Sequence, residues 1–577
     1  MNYTSSAQSA ETAALPPWRS RLLFILLMTG MFLLLARAVY LQCIHNTFLQ
    51  QKGDERYGRT LGVSAHRGTI SDRNGKPLAI STPVESVWAS PQRVEATPRQ
   101  LRQLAQVLGM NPGELSARLS DTGREFVYLK RQLPPDQAEK VVQLGIDGVA
   151  LQREYRRYYP DGEVAAQLLG FTDLDDQGQE GMELALQQQV GGEDGSQRVI
   201  KDKRGNVVEQ VASLRLPKPG SDAVLSIDKE IQCLAFREIR QAVEHNRAKS
   251  GSIVVLDAKS GEVLALANWP SYNPNNRGKL NAELLRNSAV IDQYEPGSTM
   301  KPFTAAAALE TGKFKPGTMI NTAGGEFSIG GYTIHDAHAG AMMTVAQVIQ
   351  KSSNVGAAKM ALSMSPESFW RVLNEGGFGE VTGSGFPGEA SGKLRDYKTW
   401  RPVEQATISY GNGISVTLLQ LARAYTVFAN DGMLLPVSLL KRETPPEGRK
   451  IYSAETARQV REMLELVVQP GGTAPMAQVS GYRVAGKTGT SHKLEHGHYV
   501  DRYVASFVGM APASNPRLIV AVKIDDPQGG QYYGGQVAAP VFSAVMGAAL
   551  RQTNVPNDAP LRNPAKPMVA EVVREET

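Results

Sequence analysis

The run from Leu22 to Ala36 (LLFILLMTGMFLLLA) carries no charge, and Arg19 and Arg21 precede it. A spanning helix needs about 20 apolar residues. This run reaches that length only by continuing through Arg37 into AVYLQCI, ending near Ile44. A single Arg near a helix end can snorkel to the interface, so the extension is permissible. The reading is therefore a cytoplasmic tail over residues 1–21, an uncleaved anchor over 22–44, and everything later outside the membrane, because the basic flank stays in the cytoplasm. A rival is a cleavable signal peptide, since Ala36-Arg37-Ala38 has the A-x-A form of a processing site. Hydrophobicity continuing past Ala38 favours the anchor. Gln42, which is not small, argues against a lipoprotein reading of Cys43.

The chain has 577 residues, 42% hydrophobic and 21% charged, enough for two to four globular domains. A net charge of +5, dispersed along the chain, gives no basic block of the kind that binds nucleic acid. The densest basic cluster, Arg153, Arg156 and Arg157, is interleaved with Glu154 and tyrosines and reads as local salt bridges. Two distant cysteines, Cys43 and Cys233, make no disulfide framework. Residues 217–220 (PKPG) read as a linker. Before it, turn signals such as DRNG at 72–75 and DDQG at 175–178 predict an irregular, strand-rich domain over 45–216. After it, over 221–556, apolar strands alternate with helical patterns. Residues 252–257 and 262–267 flank Lys259-Ser260-Gly261 and predict a β-hairpin. Residues 343–361 and 416–429 read as helices. The stretch 557–577, rich in proline and charge, reads as a disordered tail.

Residues 481–490, GYRVAGKTGT, have two spellings. Gly481, Gly486, Lys487 and Thr488 fit the phosphate-cradling G-x-x-x-x-G-K-[ST] pattern. Lys487-Thr488-Gly489 also spells K-T-G, a signature of serine enzymes that attack D-Ala-D-Ala bonds and penicillins. A phosphate loop needs a helix after it to supply an anion-binding N-terminus. The following SHKLEHGHYVDRY has no apolar stripe of helical period. VASFVGMAP and RLIVAVKID then read as two consecutive strands, a hairpin and not a βαβ unit. The nucleotide reading fails on those grounds. His492, Glu495, His496 and His498 match no standard zinc spacing and read as an exposed loop, so no metal is assigned.

K-T-G gains weight from two partners upstream. In EPGSTMK at 295–301, Pro296-Gly297 breaks the chain before a helical stretch. Ser298 then sits at a helix N-terminus, with Lys301 three residues on and on the same face. A serine hydroxyl needs a base to become a nucleophile, and a buried Lys beside another cation can be neutral enough to serve. In KSSN at 351–354, Ser352-x-Asn354 interrupts an otherwise apolar helical pattern with polar side chains, which is costly unless they have work to do.

S-x-x-K, S-x-N and K-T-G, in that order, resemble the penicillin-binding and serine β-lactamase superfamily. The resemblance covers nearly the whole chain. RGTISDRNG at 67–75, RRYYPDGEVAAQLLGFTD at 156–173, GQEGMELAL at 178–186 and KDKRGN at 201–206 look like signatures of class B penicillin-binding proteins, where they belong to a non-catalytic pedestal. NWPSYNPNNR at 268–277, SYGNGISVTLLQLA at 409–422 and QYYGGQVAAPVF at 531–542 extend the likeness through the catalytic domain. The closest branch in pattern is the septal, cell-division one. Gln167 departs from it where many relatives have His. Asn412 and His492 stand where close relatives often carry an aromatic and a basic residue.

The resemblance implies a multidomain α+β protein: a single N-terminal transmembrane helix, a strand-rich pedestal of dimerisation type, and a transpeptidase domain with an antiparallel sheet and helices on both sides. It implies an inner-membrane, single-pass location with the catalytic domain periplasmic. It also implies a serine-type D-Ala-D-Ala transpeptidase that cross-links stem peptides in septal wall synthesis, is acylated by β-lactams and needs no cofactor. Ser298 is the implied nucleophile and Lys301 the base. Ser352 relays a proton, Asn354 orients Lys301 and the substrate amide, and Lys487 supplies positive field. Thr488 and Thr490 hold the terminal carboxylate beside Gly489, and the backbone N–H groups of Ser298 and Thr490 form an oxyanion hole. Tyr410, Tyr532 and Tyr533 are candidate pocket walls. The implied partners are a membrane glycosyltransferase and other division proteins. A paralogous transpeptidase with a conditional role and a scaffold of the wall-synthesis complex are the alternatives. A class A β-lactamase would need E-x-x-L-N to activate water, and none follows Ser352.

Overall fold

The computed structural model describes residues 17–44, 58–201, 207–278, 281–338, 340–495 and 497–561. Residues 1–16 of the expected tail, residues 45–57, the KDKRGN segment after Lys201, His496 and the C-terminal stretch 562–577 lie outside the described residues. The apolar run forms helix α1 (Pro17–Val39), continued by a wider π-turn over Tyr40–Ile44. The segment Pro17–Cys43 is 27 residues long, contains an 18-residue stretch of mean hydropathy 2.4 with none of it buried, and is long and apolar enough to cross a membrane.

The rest of the chain divides into two compact units, and it passes between them several times. The smaller comprises residues up to Ser64 together with Val84–Glu154 and Asp194–Pro217. It contains a three-stranded antiparallel sheet in the order Gly58–Val63, Gly195–Lys201, Val207–Arg215. It also contains the strand Val127–Leu133, paired antiparallel with Glu85–Ala89. Three amphipathic helices close over that pair: Pro98–Leu108, Pro112–Ser120 and Pro135–Gln143. The first has a capping box between Thr97 and Gln100, with Pro98 at its first turn. Leu104, Leu108, Leu115, Leu129 and Val141 form the core beneath.

The larger unit comprises Ala65–Pro83, Tyr155–Glu193 and the chain from Lys218. Three of the signature segments meet inside it at Glu183, which is fully buried. Arg67 Nε donates to one carboxylate oxygen at 2.8 Å and Arg157 Nε to the other at 2.6 Å. The basic cluster is thus resolved into ion pairs, Arg157 with Glu183 and Arg153 with Glu85. Gln167 also does structural work. Its amide N–H₂ donates to two carbonyls, Pro270 O at 2.9 Å and Leu284 O at 3.1 Å.

The centre of the larger unit is a five-stranded antiparallel sheet. Its strands are β1 (Ser250–Asp257), β2 (Val263–Trp269), β3 (Ala485–Glu495), β4 (His498–Ala511) and β5 (Leu518–Asp525). They lie in the order β2-β1-β5-β4-β3. The hairpin around Lys259-Ser260-Gly261 is β1–β2, and the two consecutive strands after K-T-G are β4 and β5. The middle strands are apolar on both faces, as a sheet covered on both sides requires. Helices α2 (Lys229–His245) and α7 (Ala539–Gln552) pack on the sheet, helices α3 (Lys301–Glu310), α4 (Val345–Lys351) and α5 (Asn354–Leu362) hold or flank Lys301, Ser352 and Asn354, and helix α6 (Ala454–Val468) packs against β3.

Three expectations are corrected. Residues 343–361 are not one helix: Met342–Thr344 is a strand and α4 is separated from α5, because Ser352 leaves the helix at φ 62, ψ 41 and Ser353 caps α5. Residues 416–429 likewise form two helices, Leu418–Ala424 and Thr426–Ala429. The polar stretch after Thr490 is not a loop: β3 runs to Glu495 and β4 starts at His498, so cross-strand hydrogen bonds outweigh its polar composition. At the other end, Asp558 accepts from Arg483 N and Ser514 Oγ, and Ala559 N–H donates to Gly481 O. Residues 557–561 are therefore fastened to the domain. Cys43 and Cys233 are both free and exposed.

Candidate active site

The three motifs arrive on three different elements. Ser298 lies in a 3₁₀ turn, Gly297–Met300, that leads into α3 at Lys301. In that tighter helix side chains at i and i+3 eclipse. Ser298 and Lys301 therefore meet, with Lys301 Nζ 2.9 Å from Ser298 Oγ. Tyr425 OH donates to Thr299 O at 2.9 Å and Thr304 Oγ1 to Ser409 O at 2.7 Å, which hold the turn and the start of α3 in place.

Ser352 reaches the same point from the end of α4. A non-glycine residue at positive φ is uncommon and stores strain of about 1–2 kcal/mol. The distortion directs its polar groups at Lys301: Lys301 Nζ donates to the Ser352 carbonyl and lies 3.0 Å from its Oγ. From the opposite side Lys487 Nζ is 3.0 Å from the same oxygen. Ser298, Lys301, Ser352 and Lys487 thus form one continuous hydrogen-bonded chain. Both lysines are fully buried, Ser298 is 5% exposed and Ser352 9%.

The turn carrying Ser352 has a support that no motif indicated. Asp336 accepts from Ser353 Oγ at 2.6 Å and from Val355 N at 3.0 Å. Asp336 follows the hairpin Glu326–Ile329/Tyr332–His335, whose second strand also supplies the carbonyl of His335 to Asn354 Nδ2 at 3.0 Å. Asn354 therefore sits at the front of the site, tied to this hairpin.

Thr488 and Thr490 sit on the β3 edge. Thr488 is fully buried, with its hydroxyl 2.8 Å from Thr473 Oγ1 and 3.1 Å from Lys487 Nζ. Thr490 Oγ1 accepts from Gly534 N at 3.1 Å. Gly534 has no room for a side chain: a Cβ there would come within 2.3 Å of Ser506 O and 2.6 Å of Gly489 O. The glycines after the two tyrosines thus let that segment lie flat against K-T-G. A second close approach occurs between motifs. Gly411, at φ 92, lies so near Gly297 that a Cβ would sit 2.1 Å from its carbonyl oxygen.

A cavity of about 150 Å³ opens at the Ser298 end of this chain of contacts, lined by Ser298, Asn354, Tyr410, Asn412, Thr490 and the strand Tyr332–His335. Burial pushes the Tyr410 phenol well up from its usual range, so it stays neutral at all ordinary pH. Tyr532 and Tyr533 lie outside this lining. They precede a short helix, Gly534–Val537, and continue an aromatic ladder that runs His492, Tyr503, Tyr532, Tyr533 with ring separations of 4.7, 4.1 and 4.4 Å. Beside the serine turn, Glu295 accepts from Gly413 N at 2.7 Å and Tyr499 OH at 3.0 Å. Burial raises its carboxyl above the usual range against those two donors. Among the described residues no group of histidine, cysteine and acidic side chains is arranged to hold a metal ion.

Comparison with known proteins places this geometry among relatives. Residues 251–547 match the penicillin-binding protein transpeptidase domain, and residues 62–225 the penicillin-binding protein dimerisation domain. A probable peptidoglycan D,D-transpeptidase, PenA, of Neisseria meningitidis is 44% identical over 546 residues, covering 94% of this chain and 92% of that one. The peptidoglycan D,D-transpeptidase FtsI of Escherichia coli K12 is 41% identical over 556 residues, 95% of this chain and 94% of its own. Among solved structures, the transpeptidase domain of Burkholderia pseudomallei penicillin-binding protein 3 is 48% identical, with TM-score 0.54 over 58% of this chain and 98% of that domain. A peptidoglycan synthetase from Bifidobacterium adolescentis is 26% identical, with TM-score 0.70 over 88% of this chain and 98% of that one.

Proposed function

The chain belongs to the class B penicillin-binding proteins, with a transpeptidase and a dimerisation domain, and from that premise we infer that it is a peptidoglycan D,D-transpeptidase working through Ser298. The observation that carries the residue assignment is the unbroken contact chain Ser298 Oγ, Lys301 Nζ, Ser352 Oγ, Lys487 Nζ.

Ser298 Oγ attacks the carbonyl carbon of the penultimate D-Ala of a stem peptide, and Lys301 Nζ takes the hydroxyl proton. Lys301 Nζ is fully buried and within hydrogen-bond reach of both serine hydroxyls, the geometry a general base for this step needs. Collapse of the tetrahedral intermediate breaks the C–N bond. The leaving D-Ala nitrogen takes its proton through Ser352, which touches both lysines. Lys487 holds positive field near the terminal carboxylate, and the Thr490 hydroxyl at the cavity wall is its proposed ligand. Thr488 is turned to Thr473, which fits it better to positioning Lys487. Asn354, fixed by His335 O, faces the incoming amide, with Tyr410 as a neutral wall. An amine of a second stem peptide then attacks the ester carbon, forming the cross-link and returning the proton to Ser298. A β-lactam presents the same carbonyl on a ring whose leaving nitrogen stays tethered, so it stops at the ester.

The likeness to FtsI supports a septal role. The apolar helix supports a membrane anchor, and Arg19 and Arg21 before it support a periplasmic catalytic domain. The partner this reading calls for is a membrane glycosyltransferase that supplies glycan strands, together with other division proteins. Labelling with a fluorescent penicillin tests the serine assignment. A long-lived covalent adduct on the wild type and none on Ser298→Ala is expected. Rapid turnover of the label would point to hydrolysis as the main reaction, and labelling of Ser298→Ala would remove the assignment.

A further inference from the structure

A second cavity, about 470 Å³, lies on the other side of Glu295 in the chain from Ser298, and its lining includes Tyr294, Lys523, Lys493, Asp525, Arg286 and Asp292. Four of those charges are spoken for. Arg286 pairs with Asp292, and Lys493 Nζ is 2.8 Å from Asp525. Lys523 is different. It is 4% exposed, yet among the described residues no carboxylate lies within ion-pair distance and no hydrogen bond satisfies its ammonium. Its defined neighbour is the ring of Tyr294, 5.4 Å away. Burial pulls its pKa below the usual lysine range, while Asp292, Asp525, Lys493 and Arg286 act on it from greater distance with opposed signs.

The groups beside it are equally short of partners. Tyr294 OH is buried with no hydrogen bond of full geometry, its polar neighbour being the Ser506 hydroxyl of the adjoining strand, and Ser252 Oγ is buried without a partner among the described residues. Sheet register explains the grouping. Asn268, Ser252, Lys523, Ser506 and Gly489 are directly opposite one another across β2, β1, β5, β4 and β3. Paired residues project to one face, so this is a single polar rung through an otherwise apolar sheet. A Cβ on Gly251 would meet Val243 and Ile239 of α2, so the rung points to the face away from α2. Buried polar groups are satisfied in nearly all folded proteins, and a buried ammonium is tolerated only when paired. Lys523 and Tyr294, both lining the cavity, bring an ammonium and a phenol together there, the donor chemistry of an anion site, with Ser252 behind them in the same rung.

We propose that this cavity binds a carboxylate-bearing peptide, the carboxylate accepting from Lys523 Nζ and Tyr294 OH. Size separates a peptide from a simple ion: a water molecule takes only about 30 Å³ of liquid, whereas this cavity has the volume of a small-ligand site. The carboxylate reverses the direction in which burial drives Lys523 and supplies the missing acceptor. Choosing a peptide, and not another carboxylate, rests on the transpeptidase reading, whose substrate is a peptide.

The probe is L-alanyl-D-glutamate, titrated calorimetrically into the detergent-solubilised full chain, with the same dipeptide amidated at both carboxylates as control. The acid form is expected to bind wild type and Ser298→Ala equally and at least about tenfold more tightly than the amide. Lys523→Met weakens binding by about tenfold or more while penicillin still acylates Ser298 at the wild-type rate, which shows the variant folded. Tyr294→Phe, which removes only the hydroxyl, weakens binding severalfold and decides the matter if Lys523→Met does not fold. No saturable heat with wild type up to about 10 mM, or equal affinity in both variants, overturns the proposal. Binding lost in Ser298→Ala would put the dipeptide at the reactive serine, overturning the second site while leaving the transpeptidase reading intact. Absence of penicillin labelling in wild type would instead strike that reading alone.

Discussion

Substituting Gly411 by alanine should slow the reaction of the protein that still folds. The residue is at φ 92, where an L side chain costs about 1–2 kcal/mol. Its new Cβ would also lie 2.1 Å from Gly297 O, 2.5 Å from Gly297 N and 2.6 Å from Gly297 C. All three atoms are backbone and cannot rotate away, so the chain must separate by roughly 1 Å to reach ordinary contact. Gly297 is the residue before Ser298, and the displacement passes directly to the proposed nucleophile. A misplacement of about 1 Å in a reacting group costs about 10²-fold in rate. The comparison variant is Gly413→Ala. Gly413 is also at positive φ (80), but a Cβ there meets nothing nearer than Arg395 Nη2 at 3.7 Å. Gly413→Ala should lose about 1–2 kcal/mol of stability in thermal unfolding, and Gly411→Ala about 1–3 kcal/mol more for the backbone clash. Only Gly411→Ala should lose about 10²-fold in the second-order rate of acylation by a fluorescent penicillin, Gly413→Ala staying within severalfold of wild type. Wild-type acylation by Gly411→Ala, or equal losses in both, would refute the claim that contact between the two motifs positions Ser298.

Other perturbations follow the same logic. Glu183→Gln leaves two buried guanidinium groups without their carboxylate and should destabilise the larger unit by about 3–5 kcal/mol in urea unfolding. At a denaturant-free temperature well below its melting point, the residual folded fraction should acylate normally. Asp336→Ala removes the acceptor for Ser353 Oγ and Val355 N, which loosens the turn that strains Ser352. A loss of about 1.4 kcal/mol in positioning would appear as roughly tenfold slower acylation. Glu295 is held neutral in the folded state to higher pH than in the unfolded chain, since burial raises its carboxyl. The unfolded chain therefore releases the proton first, and this group's contribution to stability falls as pH rises from the ordinary carboxylate range to the raised value. Glu295→Gln should abolish that fall, so its melting temperature should improve relative to wild type as pH increases from about 4 to 8. A relative loss over that range would mean that Gly413 N–H and Tyr499 OH outweigh burial.

What could be read from sequence was local. S-x-x-K marks a helix start because Pro296-Gly297 breaks the chain and three residues return the side chain to one face. The structure adds that the turn is 3₁₀. The strands after K-T-G and the Lys259-Ser260-Gly261 hairpin were legible because a fully apolar strand bounded by turn residues has little else to become. The failures were long-range. Ser352-Ser353 breaks a sequence with good helical periodicity only because Lys301 and Asp336, 51 and 17 residues away, fix its polar groups. The polar stretch from Ser491 to Glu495 is a strand because β4 pairs with it to the end, and Lys493 and Glu495 are further held by Asp525 and Arg502. Asp336 could not be found from spacing, since nothing local distinguishes it from any surface aspartate. Gly411 carries a signal only in retrospect: a glycine needed for close approach looks the same in sequence as one needed for a turn. The interleaving of the two units was hidden for a related reason, because turn-rich segments such as DRNG and DDQG do not reveal which core their neighbours join.

The most direct test is the cross-linking reaction itself. The full chain in detergent is incubated with glycan strands bearing pentapeptide stems, and free D-Ala and dimeric muropeptides are counted after digestion. The expected result is one D-Ala released per dimer formed, both abolished by Ser298→Ala and by prior acylation with penicillin. Release of D-Ala without dimers, or dimers formed at the wild-type rate by Ser298→Ala, would contradict the assignment of Ser298 as the nucleophile of a transpeptidase.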